Sequence, residues 1–188
     1  MKKRSFLVAA AGALILSACS TTGPGASGDP ASKRTAIDAA VDSALSSLYT
    51  QAPGSRELVQ KASGVLVFPS VLSAGFVVGG SYGQGALRVH GKTDGYYSTT
   101  AGSVGLLAGA DSKAVYILFM TPEALASFQA SKGWTAGVDA SVTAINVGAS
   151  ATTNTEVAKQ PVLGYVLAKG GLMANLSLDG TKVSRLDL

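Results

Sequence analysis

Residues 64–89 read GVLVFPSVLSAGFVVGGSYGQGALRV, and this stretch decides the fold. Val65 to Phe68 is a compact apolar run that Pro69 is expected to stop, because proline brings no backbone donor to a ladder. Beyond it, Phe76, Val77, Val78 and Tyr82 are interleaved with glycines at 75, 79, 80, 83 and 85. Glycine at that density weakens a helix, whereas in strands it suits bulges, tight curvature and close approach of neighbouring backbone. The stretch therefore reads as curved sheet, continued by Leu87-Arg-Val-His90 and turned at Lys92-Thr-Asp-Gly95.

Working towards the C-terminus, Tyr96–Thr99, Gly102–Ala108 and Ala114–Met120 read as further strands. Thr121-Pro-Glu123 marks a helix start, with a capping hydroxyl, a proline suited to the first turn and an acid at the positive end. Leu125 and Phe128 give that helix an apolar side as far as Ala130. Trp134 to Ala144 alternates with a period of two and predicts a strand. Residues 148–160 read as a surface loop, and 163–168, 172–178 and 182–186 as closing strands. Towards the N-terminus, Ile37, Val41, Ala44, Leu45 and Leu48 recur on one face of a helix from Thr35 to Tyr49. A second short helix follows from Ser55 to about Ala62. The expected fold is α+β: short helices packed on a strongly curved, glycine-rich antiparallel sheet, a curvature within reach of a partly closed barrel.

The chain has 188 residues, enough for one domain with a real core. Lys2, Lys3 and Arg4, a short apolar run from Phe6 to Leu16, and Leu16-Ser-Ala-Cys19 together read as a lipoprotein signal. The expected division is a signal peptide over 1–18, the acylated Cys19 with a flexible tether over 19–34, and a single domain over 35–188. Ser20 after the acylated cysteine favours the outer membrane, with the domain facing the periplasm. Without the three basic residues of the signal, 12 Lys plus Arg face 11 Asp plus Glu, so the electrostatic case for nucleic acid is lost.

No catalytic residue, metal site or cofactor is expected. One cysteine and one histidine leave no ordinary zinc constellation. Gly79-Gly-Ser-Tyr-Gly83 matches G-x-S-x-G, but a strand-like run follows it, and His90 comes too early for a hydrolase triad. Neither a phosphate loop nor a dinucleotide fingerprint accompanies the glycines. What remains is surface contact. Arg88, Lys92, Lys113, Lys132 and Lys169 are candidate headgroup cations, and Trp134 is a candidate aromatic at the interface.

The ordered segments Ala62-Ser-Gly-Val-Leu-Val-Phe-Pro69, Ala74-Gly-Phe76 through Gly85, Gly95-Tyr-Tyr-Ser98, Gly102-Ser-Val-Gly-Leu-Leu-Ala-Gly109, Gly133-Trp134 and Lys169-Gly-Gly-Leu172 resemble the SYLF domain, also described as the Ysc84-like actin-binding domain. The likeness runs over roughly residues 35–185. It implies a lipid-binding module rather than an enzyme, with membrane phospholipid as partner and an envelope protein as the alternative. Relatives often carry basic residues after the Phe-Pro, where this chain has Ser70 and Ser73. Actin, associated with eukaryotic relatives, is not expected for a periplasmic protein.

Overall fold

A computed structural model of the protein describes residues 29–75, 78–104, 109–145, 159–168, 171–172 and 178–188. Cys19, Lys169, the 148–158 part of the expected loop, 105–108 and most of the expected 172–178 strand lie outside these described residues.

The first helix, α1, spans Pro30–Gln51 and starts before Thr35, inside the stretch expected as tether. Asp29 caps it by accepting from the Ser32 amide at 3.3 Å, and Pro30 suits its first turn. Ala31 to Arg34 show no apolar period, so only the cap signals this start. Helix α2 covers Ser55–Lys61 after Gly54, whose φ of 85° turns the chain sharply.

Four long strands follow: β1 Gly64–Gly75, β2 Val78–Val89, β3 Lys92–Val104 and β4 Gly109–Phe119. Helix α3, Pro122–Ala130, begins as the sequence predicts, with Thr121 Oγ1 accepting from the Ala124 amide at 3.2 Å. Short strands complete the chain: β5 Trp134–Thr135, β6 Thr143–Ala144, β7 Val162–Ala168, β8 Gly171–Leu172 and β9 Lys182–Leu186. The sheet order is β5-β9-β3-β2-β1-β4-β7-β6, with β8 added to β7. Every pair of these strands is antiparallel except β6 with β7. The sheet is strongly curved and partly closed, an α+β half-barrel with three helices packed against it.

Pro69 does not stop β1. The ladders to β2 and β4 both shift register around it, between Val67 and Ser70 and between Phe68 and Val71. That bulge lets a central strand carry a proline. Gly85 lies against it, and a Cβ there would stand 1.9 Å from the Val67 carbonyl oxygen. The expected strand from Trp134 to Ala144 is also corrected. The chain turns at Gly137, with a φ of 83°, and the Asp139 carboxylate accepts from the Thr135 amide at 2.6 Å. Within this stretch β5 joins β9 and β6 joins β7, while Ala136, buried in the core, bridges Ala140 across the turn.

Strand alternation divides the core into two layers. Leu66, Phe68, Ile117, Phe119, Phe128 and Trp134 pack on the α3 side. Val41, Leu48, Val67, Tyr116, Leu118 and Leu163 pack on the α1 and α2 side.

Candidate functional site

Helix α1 lies across the second face; Arg34 donates to the Leu188 carbonyl oxygen at 3.1 Å, and two further ties reach the sheet. Near its N-terminal end, Asp38 accepts from Thr93 Oγ1 at 2.7 Å and from the Tyr96 hydroxyl at 2.8 Å. Arg88 donates to Asp42 Oδ1 at 2.7 Å and to the Asp38 carbonyl oxygen at 3.3 Å, lies 3.4 Å from the Asp38 carboxylate, and also bonds Thr93. Burial first, then the Asp38 carboxylate, holds the Tyr96 phenol above its ordinary value. Further along, the buried Tyr116 hydroxyl donates to the Ala44 carbonyl oxygen at 2.8 Å, and its pKa is pushed up to about 12 by burial.

Between these ties and the far end of the sheet lies a groove of about 510 Å³. Its helical wall is Ala40, Ser43, Ala44, Ser47 and Gln51. The floor comes from Ser70 and Leu72 of β1, Ser112, Ala114 and Tyr116 of β4, and Leu167 of β7. Ser70 and Ser112 share a hydroxyl–hydroxyl bond of 3.0 Å on this floor. Lys113 also borders the groove, but strand alternation puts its side chain on the α3 face with Val115 and Ile117. Its ammonium is half-buried there. Desolvation draws its pKa below the ordinary value, and Asp111, two residues away on that same face, pulls the other way.

The groove continues onto bare sheet. Leu72 is 62% exposed, and its register partner Tyr82 is 49% exposed. Ser112, Leu72, Tyr82 and Thr100 form one row across four strands, followed outward by Ala74, Gly80 and Gly102. The neighbouring row on the opposite face is Asp111, Ser73, Ser81 and Ala101. Residues 70–84 and 98–110 contain no charged side chain, nor do residues 43–51 of α1.

The sequence-derived contact residues that are described, Arg88, Lys92, Lys113, Lys132 and Trp134, are not gathered into one patch. Arg88 is engaged by Asp38 and Asp42 and fixes α1 to the sheet. Lys92 is exposed at the adjacent hairpin turn, and Lys132 is exposed after α3. Trp134 is 2% exposed, lying edge-on to Phe119 and Phe128 at ring separations of 6.0 and 5.7 Å. It is core rather than interface, because the strand it opens pairs with β9 and turns its ring inward. Conversely, Ala40, Ser43, Ser47 and Gln51 did not stand out in sequence. The signal that could have found them is the uncharged half of α1 beside an uncharged sheet end.

Residues 100–187 match the Ysc84 family model, described as Las17-binding protein actin regulator. No curated protein matches the chain. The matched span holds the β4 and β7 floor of the groove, while the α1 wall and β1 lie before it. Among the described residues, no group of three or more His, Cys, Asp or Glu side chains is placed to hold a metal ion. No helix among them is long and apolar enough to cross a membrane.

Proposed function

We propose that this protein is a non-enzymatic lipid-binding module of the bacterial envelope, anchored through acylated Cys19 to the periplasmic leaflet of the outer membrane. The observation that carries the reading is the continuous uncharged surface formed by the groove and the exposed Leu72–Tyr82 pair. A large apolar pair open to water at the mouth of a groove suits an apolar partner. The groove volume falls within the range usual for small-molecule sites, roughly 300–1,000 Å³. The partial match to the Ysc84 family supports the same class. That family's description speaks of actin regulation, which a periplasmic domain has no means to perform, so this part is not carried over.

Contact through an uncharged surface predicts weak dependence on headgroup charge and salt. The test is co-sedimentation of residues 20–188 with phosphatidylglycerol, cardiolipin and phosphatidylethanolamine vesicles. Among the described residues, every buried core residue lies between Val41 and Val183, within this piece. Binding should persist at physiological salt and fall at least tenfold in Leu72→Glu. Failure to sediment with any vesicle would overturn the lipid reading and favour docking of an envelope protein on the same face.

A further inference from the structure

We infer that the groove beside α1 takes a single acyl chain of a lipid whose headgroup carries no net charge. The inference rests on the lipid-binding reading and names the chemistry of its site. Charge decides the class of occupant. Among the described residues, the one charged residue bordering the groove is Lys113, whose side chain, like that of Asp111, alternates onto the opposite face of β4. An anionic group drawn in would lose its water without gaining a cation, and an unpaired charge in such a place is strongly disfavoured.

The lining favours a chain. Exposed Leu72 supplies the apolar floor over the buried Leu167 and Tyr116, and Tyr82 prolongs the track beyond the helix. Small residues on the wall at positions 40, 43, 44 and 47 leave the width open. The polar atoms present are neutral ones: the Ser70–Ser112 hydroxyl pair, Gln51, and the Ser47 hydroxyl, which donates to the Ser43 carbonyl at 3.1 Å and keeps its lone pairs. The Gln51 amide and the remaining hydroxyl hydrogen of the serine pair can donate to ester oxygens, and the Ser47 oxygen can accept from a glycerol hydroxyl, without requiring charge. Of the three large hydrophobic side chains exposed among the described residues, Leu72, Tyr82 and Val138, two lie side by side on this track.

The test measures uptake of monomeric lysophosphatidylcholine by residues 20–188, using native mass spectrometry and calorimetry. Lysophosphatidylglycerol and glycerophosphocholine are the comparison probes. The expected result is one lysophosphatidylcholine per chain, at least tenfold weaker lysophosphatidylglycerol, and no binding of glycerophosphocholine. Ala40→Phe and Ser47→Phe fill the groove from its wall and should each weaken uptake at least tenfold. Ser46→Phe, on the same helix but outside the lining, should leave uptake unchanged and so separates groove filling from damage to α1. Equal or tighter binding of the anionic probe, or unchanged uptake in both wall variants, overturns the inference. Vesicle binding without lysolipid uptake overturns it while sparing the lipid reading; loss of both rejects the two together.

Discussion

Replacing Asp38 by Ala tests how α1 is held over the groove it walls. The carboxylate accepts two side-chain hydrogen bonds, from Thr93 at 2.7 Å and Tyr96 at 2.8 Å, and stands 3.4 Å from the Arg88 guanidinium. Hydrogen bonds to a charged group contribute roughly 1.5–3 kcal/mol each. The Asp38 side chain is 31% exposed, so solvent screening reduces that by about half. A net loss of about 2–3 kcal/mol follows, equivalent to about 4–12 °C in Tm for a domain of this size. Asp42→Ala removes the shorter ion pair, at 2.7 Å, but from a side chain 70% exposed, and should cost less than about 1 kcal/mol. Thermal melts followed by circular dichroism compare the two directly. Asp38→Ala combined with Tyr96→Phe should be less damaging than the sum of the single changes, because both remove one bond. If Asp42→Ala matches or exceeds Asp38→Ala, the shorter exposed pair holds the helix and the reasoning is wrong.

Two further outcomes follow from the geometry. Gly85→Ala should cost more than about 3 kcal/mol, since its Cβ would sit 1.9 Å from backbone at the Pro69 bulge, whereas Gly102→Ala meets nothing within 4 Å and should stay within about 0.5 kcal/mol of the parent. Denaturant titrations read both, and a Gly85→Ala midpoint equal to the parent's would remove the close-packing account of the bulge. Tyr116 and Tyr165 have folded pKa values raised from 10.0 to about 12 by burial. Their contribution is fully present below pH 10 and is lost as pH rises through 12, because the unfolded chain releases those protons first. Stability should therefore fall across that window, and Tyr116→Phe should flatten the slope. A slope unchanged by that substitution would show that Tyr116 does not set it.

The fold was legible wherever local chemistry and tertiary use agree. Thr121, Pro122 and Glu123 mark a helix by cap, backbone and charge at once, and α3 begins there. Residues 182–186 alternate and pair as β9. Legibility failed where a local rule was overridden. Pro69 forbids a regular ladder but not a bulge, and the bulge depends on Gly85 across the sheet, a partner that no local window contains. At Trp134 to Ala144 the period was present, yet a glycine at positive φ broke it into a turn. The site was less visible still. Basic residues attract attention one at a time, but the fold engages Arg88 with two aspartates and turns Lys113 to the opposite face from the groove. The groove is defined by what its walls lack, and absence of charge acquires meaning only once α1, β1 and β4 are seen together.

The wall of the groove is poorer in apolar surface than stability alone would favour. Across 22 residues α1 fully buries only Val41, Ala44 and Leu48, with Ile37 and Leu45 partly buried beside them, and polar ties through Asp38 and Tyr116 add to that apolar face. Larger side chains at positions 40, 43 or 47 would fill adjacent space and cover the exposed floor at Leu72. A helix kept in place without filling that space is what a site needs and a core does not. Ser47→Leu separates the two purposes. Partial burial of the leucine in the groove should stabilise the fold by about 0.5–1.5 kcal/mol, a rise of about 1–6 °C in Tm, while lysophosphatidylcholine uptake falls. A rise in stability with uptake undiminished would mean that the small wall does not serve an acyl chain. A fall in stability would mean that the groove is already shaped too closely to receive the leucine.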